Sequence, residues 1–312
     1  MKIAFFGVPE AGIVCLNALM QHKKNIIAVI PPIPSHPVYS MMVGLAEQYS
    51  IPVLGFNSSP KEENFINAFR DLKADVAVVC SFDHLLPAEL IEIPPLGFIN
   101  CHPSLLPEYR GGNPFFHVIA NGEKKTGVTI HYMDPSFDTG DIISQWEGDV
   151  APDETLGTLF NRSNLQTTHM LIDVINRLEK GEKITGTPQI KEGNYKRASI
   201  ILPEKGHTII DWSKDAAYTE RFTRALNPFF GAITYFRGCM LKIWSGVCME
   251  NQMVNQQPGT IINVTPDNIA IATGKGLFFP TCFQVGNFVI SDIKDFINRT
   301  NPQVGESFTD KA

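Results

Sequence analysis

The sequence predicts an α/β protein with a Rossmann-like, mostly parallel sheet, followed by a small OB-like β-barrel. Over roughly the first 150 residues, short apolar runs alternate with helical patterns, which is typical of βαβ units. The last part instead carries five short β runs broken by Gly, Pro and Asn, which is typical of a small barrel. At 312 residues the chain also exceeds one average domain, so two domains are expected.

The first domain is predicted to alternate strands with helices along the chain. Its first helix, for example, places Ile13, Leu16 and Leu19 on one side at helical spacing. The predicted strands are residues 2–6, 26–30, 52–54, 76–80, 97–100 and 128–133, and the predicted helices are residues 11–21, 39–49 and 64–72. Ligands of parallel sheets bind beyond the carboxyl ends of the strands. Residues 81–87 and 100–111 both follow strands, so we expect them on the same rim.

The second half is predicted to contain two helices and then the barrel. A long amphipathic helix covers residues 155–180, and Gly181 ends it. A polar, irregular stretch follows, and a second helix opens at Asp211 and continues to residue 225. The five β runs are residues 231–236, 240–244, 259–265, 269–273 and 277–283. We therefore expect an α/β domain over residues 1–182, a linker over residues 183–206 and a barrel domain over residues 207–312.

Composition and charge exclude several classes of protein. With 44% hydrophobic and 19% charged residues, the chain is expected to fold around a sizeable core. The net charge of −6 argues against a large electrostatic footprint for nucleic acid, although a local patch is compatible with it. Six scattered cysteines without C-x-x-C spacing predict neither a zinc site nor a disulfide framework, and favour a reducing, cytoplasmic location. The absence of a long apolar run predicts no signal peptide and no membrane span.

The turn after the first strand argues against a nicotinamide oxidoreductase. Residues 7–12 read GVPEAG, with glycine at the first and last positions only. The dinucleotide fingerprint needs a central glycine so that the backbone can approach the pyrophosphate. A plain strand–helix turn is therefore the favoured interpretation.

The most informative segment covers residues 100–111 and contains an amide and an imidazole two positions apart. Pro103 restricts the backbone of His102 to extended conformations. Side chains alternate along an extended chain, so Asn100 and His102 are expected on one face, with Cys101 on the other. A lone histidine is more often a satisfied core residue than a catalytic one, but this pairing favours catalysis.

Asp138, in a glycine-containing turn, is the candidate third member of this group. Its alternative role is that of a solvated turn carboxylate, and proximity to His102 depends on the fold. Together the three residue types suit attack of a neutral amine on a carbonyl carbon. His102 would move the proton, Asp138 would orient and charge the imidazole, and Asn100 would donate to the developing oxyanion.

The residues around the motif form a set of candidate acceptor-binding positions. No G-x-S-x-G elbow surrounds Ser104, so residues 104–107 are interpreted as a loop wall rather than a nucleophile site. Arg110 either anchors an anionic group or pairs with Glu108, and Phe115 either lines a pocket or packs the following helix. The candidate acceptor-binding residues are Ser104, Leu105, Leu106, Pro107, Arg110 and Phe115.

Several spaced motifs resemble, in the same order, the 10-formyltetrahydrofolate-dependent formyltransferases. They are NCHPSLLPEYRG at residues 100–111, NGE at 121–123, TGVT at 126–129 and DTGDI at 138–142. The tail resembles the family's carboxy-terminal barrel through IDW at 210–212, RALNP at 224–228, LKIW at 241–244 and PGT at 258–260. The resemblance covers roughly residues 1–180 and much of the tail. Two-domain members include methionyl-tRNA formyltransferase and an enzyme that formylates a nucleotide-linked amino sugar.

The resemblance implies a formyltransferase domain that takes a formyl group from 10-formyltetrahydrofolate and needs no metal. It implies that Asn100, His102 and Asp138 are the catalytic triad. It places the pterin pocket at His84, Leu85, Leu86, Asp134, Pro135, Ser136 and Phe137. The acceptor is then a primary amine.

The distribution of cations favours a small acceptor. No Lys or Arg lies between Lys24 and Lys61, and residues 201–312 hold ten Lys and Arg against ten Asp and Glu. Phosphate contacts supply much of nucleic-acid affinity, so this pattern predicts poor tRNA binding. We therefore expect a nucleotide-linked 4-amino sugar as acceptor, with methionyl-tRNA as the alternative. A hydrolase releasing formate and a non-catalytic folate-binding protein are further alternatives, and a homodimer is left open.

Overall fold

The computed structural model describes residues 1–31, 39–55, 61–82, 84–190, 193–286 and 289–311. These residues form two compact units, and the chain enters each of them three times. The first unit comprises Met1–Pro114, Thr126–Gly148 and Asn161–Ala198, and the second comprises Phe115–Lys125, Asp149–Phe160 and Ser199–Ala312.

The strands and helices follow the predicted alternation and then the predicted run of β structure. The strands are β1 Lys2–Gly7, β2 Asn25–Ile30, β3 Val76–Cys80, β4 Phe98–His102, β5 Arg110–Gly111, β6 Lys125–Tyr132, β7 Ile142–Asp149, β8 Arg197–Ala198, β9 Ala232–Phe236, β10 Cys239–Met249, β11 Ile261–Thr265, β12 Asn268–Ala272, β13 Leu277–Val285, β14 Val289–Asp292 and β15 Phe308–Thr309. The helices are α1 Pro9–Gln21, α2 Tyr39–Gln48, α3 Glu63–Asp71, α4 Ala88–Ile91, α5 Pro114–Ala120, α6 Leu156–Glu179, α7 Ala216–Leu226 and α8 Ile293–Thr300.

The first unit is built on a six-stranded sheet in the order β2-β1-β3-β4-β6-β7. β1 pairs in parallel with β2 and with β3, and β3 pairs in parallel with β4. All five residues of β3 are buried, as expected of a strand covered on both faces. The predicted mostly parallel α/β sheet is therefore confirmed. In place of the predicted strand over residues 52–54, Val53 forms a single bridge to Val29.

The pairing of β4 with β6 is antiparallel and determines which side chains meet at the rim. In this register Asn100 lies opposite His131, and His102 lies opposite Thr129. Side chains of opposed residues on neighbouring strands point to the same face of a sheet. The polar ends of β4 and β6 are therefore brought together above a core that includes Ile99 and Ile130.

The second unit contains the predicted barrel. Its strands follow the order β11-β12-β13-β10-β9-β15, and β14 pairs with β13. Backbone bonds from Ile261 N to Glu306 O (2.7 Å) and from Phe308 N to Gly259 O (2.9 Å) join the two ends of this order. The stacked rings of Phe283 and Phe296, 4.1 Å between centroids, lie in the core.

Two predictions about the middle of the chain need correction. The helix expected from Asp211 begins at Ala216, because the Asp211 carboxylate instead accepts hydrogen bonds from Ser213 N and Oγ in a tight turn. Asp215 provides the N-cap by accepting from Tyr218 N at 2.6 Å. The segment interpreted as a linker is also more ordered than expected, because β8 pairs in parallel with β5. This pairing ties residues up to Ala198 into the first unit.

Within the described residues, no helix combines the length and the apolar character that crossing a membrane requires.

Candidate active site

The structure brings together the three polar residues that the sequence singles out. Asn100 and His102 lie on β4, and Asp138 lies in the turn between β6 and β7. The Asn100 Nδ2 atom lies 3.3 Å from Asp138 Oδ1, and His102 Nδ1 lies 3.5 Å from the same oxygen. The predicted alternation along an extended strand is therefore correct for Asn100 and His102, and the turn supplies the carboxylate.

A hydrogen bond at Nε2 fixes the orientation of the His102 imidazole. Its Nε2 atom lies 3.0 Å from the carbonyl oxygen of Tyr109, and the side chain is buried. Because a carbonyl oxygen only accepts, Nε2 carries a proton and donates. The Nδ1 atom is left facing Asp138, where a second proton gives an imidazolium paired with the carboxylate.

His131 is a member of this group that sequence reasoning missed. Its Nδ1 donates to the carbonyl of Tyr132 at 2.7 Å, so Nε2 carries the lone pair and accepts from Asn100 Nδ2 at 3.1 Å. His131 thereby fixes which way the Asn100 amide points. No local motif singles out His131, and its partner becomes visible only in the β4–β6 register.

His131 stays neutral because it is buried. Burial lowers its pKa to about 4, with a smaller contribution from the neighbouring His102 and an opposing one from Asp138. A neutral ring is required for Nε2 to accept from Asn100. The buried environment therefore preserves the orientation of the amide at neutral pH.

The free energy of unfolding should fall as the pH drops from about 6.5 towards about 4. Over this range the unfolded chain binds a proton at His131 that the folded protein does not bind, so acid favours unfolding. The gap between the two pKa values corresponds to a loss on the order of 3 kcal/mol. Urea denaturation across this pH range measures the loss. His131→Gln, which keeps an acceptor for Asn100, should flatten the profile, and an unchanged slope in this variant would contradict the assignment.

The turn that carries Asp138 is tight and conformationally unusual. Asp138 has φ of +56°, a region that non-glycine residues seldom occupy. A Cβ atom at Gly140 would lie 1.9 Å from the Tyr132 carbonyl oxygen, so only glycine fits there. Asp134, predicted to bind the pterin, accepts from Ser136 N at 3.0 Å and from Thr139 Oγ1 at 2.6 Å. Its carboxylate therefore caps the turn.

Side chains of Thr129 on β6 and Gln145 on β7 bind the loop at residues 104–107. The Thr129 hydroxyl donates to Ser104 O at 2.6 Å and accepts from Leu106 N at 3.1 Å. Gln145 Nε2 donates to Leu106 O at 2.7 Å, and the buried Ser104 hydroxyl donates to Glu108 O. These bonds agree with the interpretation of Ser104 as part of a loop wall. The loop that they fix continues through Glu108 to Tyr109, whose carbonyl oxygen accepts from His102 Nε2.

Four of the candidate acceptor-binding residues are buried, namely Ser104, Leu106, Arg110 and Phe115. The guanidinium of Arg110 donates to Gln189 Oε1. Phe115 lies in the second unit, where its ring packs edge-on against Phe160, which favours its packing role over pocket lining.

A cavity adjoins the Asn100–Asp138 pair. It is lined by Val79, Phe82, His84, Leu85, Asn100, His131, Met133, Ser136, Phe137 and Asp138. Four of these belong to the predicted pterin set, and Phe137 is 55% exposed. Leu86 is buried in the core beneath. In the part of the chain that the structure describes, no cluster of three or more His, Cys, Asp or Glu is arranged to hold a metal ion.

Comparison with known proteins identifies relatives over nearly the whole chain. The family model described as "Formyl transferase" matches residues 1–175, and "Formyl transferase, C-terminal domain" matches residues 204–301. The methionyl-tRNA formyltransferase of Alkaliphilus oremlandii is 36% identical, covering 95% of this chain and 96% of that protein. That of Thermus thermophilus is 32% identical, covering 89% of each.

Solved structures share the fold at lower sequence identity. The sugar 3N-formyltransferase WlaRD, determined with dTDP and 5-N-formyl-THF, has a TM-score of 0.64 at 18% identity and covers 93% of this chain and 99% of that one. HypX from Aquifex aeolicus, in complex with tetrahydrofolic acid, has a TM-score of 0.62 at 17% identity and covers 98% of this chain and 48% of that one.

The expected amino-sugar acceptor is wrong in the light of these relatives. Curated relatives at 31–36% identity over most of the chain are methionyl-tRNA formyltransferases, whereas the sugar enzymes match only at 18–19%. The prediction relied on net charge counts, and a neutral total does not exclude a cationic face. Part of the cation-poor stretch between Lys24 and Lys61, at residues 32–38 and 56–60, lies outside the described residues.

Proposed function

The chain belongs to the formyl transferase family and uses 10-formyltetrahydrofolate as co-substrate, and on that premise we propose that it formylates methionyl-tRNA. The observation that carries the proposal is end-to-end similarity to methionyl-tRNA formyltransferases, up to 36% identity over 95% of this chain. Both the catalytic and the C-terminal family regions are present. The acceptor is then the primary amine of the esterified methionine.

The cavity beside Asp138 suits the folate head group. Val79, Leu85 and Phe137 offer apolar surface, while His84 and Ser136 offer polar atoms. Ligand sites of this kind combine apolar walls with a few placed polar groups. When bound, 10-formyltetrahydrofolate supplies the electrophilic formyl carbon and a leaving amine that accepts a proton.

We assign the oxyanion contact to Asn100. One amide N–H is committed to His131 Nε2 at 3.1 Å, and the other makes only a long contact of 3.3 Å to Asp138 Oδ1. The second N–H is therefore the one that the formyl oxygen can take. Its donation strengthens as negative charge develops on that oxygen.

We assign proton transfer to the Nδ1 atom of His102. Nε2 donates to the Tyr109 carbonyl, which leaves Nδ1, on the side of Asp138, as the ring nitrogen that can exchange a proton. Asp138, 3.5 Å away, stabilises the imidazolium when Nδ1 holds a proton. Across the reaction, the attacking amine loses a proton as its N–C bond forms. The departing folate nitrogen gains one as its bond to the formyl carbon breaks.

The acceptor should be identified by a formylation assay with purified protein. We expect tetrahydrofolate formation with methionyl-tRNA, together with formyl-methionine on the recovered tRNA. Uncharged tRNA and free methionine serve as matched controls that lack the esterified amine or the tRNA, and neither should support turnover.

Two outcomes would contradict the proposed acceptor. Turnover with a nucleotide 4-amino sugar, and none with methionyl-tRNA, would show a small-molecule acceptor. Formate release at the same rate with and without any amine would show a hydrolase, in which water replaces the acceptor.

A further inference from the structure

Gln189 forms a buried bridge between Arg110 and the turn that carries Asp138. Its Oε1 accepts from Arg110 Nη2 at 2.6 Å and from Nε at 3.3 Å. Its Nε2 donates to the carbonyl oxygens of Gly140 (2.7 Å) and Asp138 (3.0 Å). The side chain is buried, and each of its polar atoms has partners.

Arg110 determines the orientation of the Gln189 amide. A guanidinium only donates and a carbonyl only accepts, so Oε1 must face Arg110 and the NH₂ group must face the turn. Arg110 is itself buried and lies with its guanidinium carbon 5.9 Å from the ring centroid of Tyr195. A buried charge without partners is costly, so Arg110 cannot readily release the amide. The bridge is therefore anchored at one end.

The other end of the bridge holds the turn that presents Asp138. Residue 138 has a left-handed backbone, which the surrounding structure must enforce. Gln189 binds the carbonyls on both sides of Thr139, and Gly111 N donates to Asp138 Oδ2 at 3.0 Å. Backbone and carboxylate are thus fixed from the same side, because Gly111 directly follows Arg110 on β5.

We propose that Gln189 is a positioning residue for formyl transfer, which holds the Asp138 turn so that the carboxylate stays beside His102 and Asn100. The inference rests on the catalytic role proposed above for Asp138. It also explains why the segment after α6 returns to the sheet rim, since Gln189 lies between the Thr187 bridge to Ile142 and the β8 pairing with β5. This segment supplies part of the active site rather than a simple connection.

Two substitutions separate the donor function of Gln189 from its packing. Gln189→Met keeps the length of the side chain and loses every hydrogen bond, whereas Gln189→Glu keeps an acceptor for Arg110 and loses the two donors. We expect both to lower kcat by about 10- to 100-fold, because small displacements of a catalytic group cost this much. KM for 10-formyltetrahydrofolate should change little, and circular dichroism with melting temperature identifies the folded proteins on which kcat is compared. Gln48→Met, at an exposed position on α2, is the matched control and should behave as wild type.

A double-mutant cycle with Asp138→Asn tests whether Gln189 acts through Asp138. If it does, adding Gln189→Met to Asp138→Asn should cost no further activity, since the group that it positions is already lost. Losses that multiply in the double variant, or wild-type kcat in both Gln189 variants, would overturn the inference. If Asp138→Asn alone keeps wild-type kcat, the proposed role of Asp138 fails, and the inference fails with it. The single variants thus distinguish the two failures.

Discussion

Replacing His102 with alanine should lower kcat for formyl transfer by about 10²- to 10⁴-fold, the usual contribution of a positioned acid–base group. The variant loses the Nδ1 atom that lies 3.5 Å from Asp138 Oδ1, and among the described residues the other imidazole near that oxygen is His131, with Nε2 3.8 Å away. His131 does not substitute for it, because its pKa of about 4 keeps it neutral. Turnover should be measured at saturating co-substrate and acceptor.

A matched histidine substitution separates catalysis from stability. His169→Ala removes an exposed ring from α6 and should leave kcat unchanged. His102 is buried and bonded to Tyr109 O, so His102→Gln is a useful second variant that can retain a donor to that carbonyl. Folding is checked by circular dichroism and melting temperature. A folded His102→Ala protein that keeps more than about a tenth of wild-type kcat would contradict the assigned role, since that loss is under 1.4 kcal/mol.

The parts of the fold that the sequence predicted well are those governed by local patterns. Five consecutive apolar residues define β3, and the structure places that strand at Val76–Cys80 as expected. The spacing of Asn100 and His102, with Pro103 after them, was enough to put both on one face. The start of α7 was misjudged because two capping residues compete, and the Asp211 carboxylate closes its own turn before Asp215 caps the helix.

The parts of the site that the sequence did not reveal depend on long-range pairing. His131 reaches Asn100 only because β4 and β6 run antiparallel in one register. Gln189 lies 51 positions from Asp138 in a stretch without periodicity, and nothing local indicates that its amide faces the turn. The acceptor was misjudged for a related reason, since charge counted along a chain does not report how a fold distributes it over the surface.

Replacing Asn100 with aspartate should lower kcat by at least about 10²- to 10³-fold, the cost of losing an oxyanion donor. The change is nearly isosteric, but it removes the Nδ2 atom and both of its N–H groups. This atom lies 3.1 Å from His131 Nε2 and 3.3 Å from Asp138 Oδ1. The new carboxylate would face a second carboxylate and a lone pair, with no donor among them. Asn100→Ala, which removes the donor without adding charge, should lose less.

The Asn100→Asp variant carries a second, independent readout at His131. A carboxylate in contact with Nε2 favours the imidazolium, so the pKa of His131 should rise from its present value of about 4. A proton NMR titration of the imidazole resonances measures this shift. The exposed Asn161→Asp substitution on α6 is the control for the added charge and should change neither kcat nor the titration. If Asn100→Asp keeps kcat within about tenfold of wild type, the oxyanion is stabilised elsewhere, because a lost donor should cost more than this. If the His131 titration is unmoved, the Asn100–His131 contact is not what orients the amide.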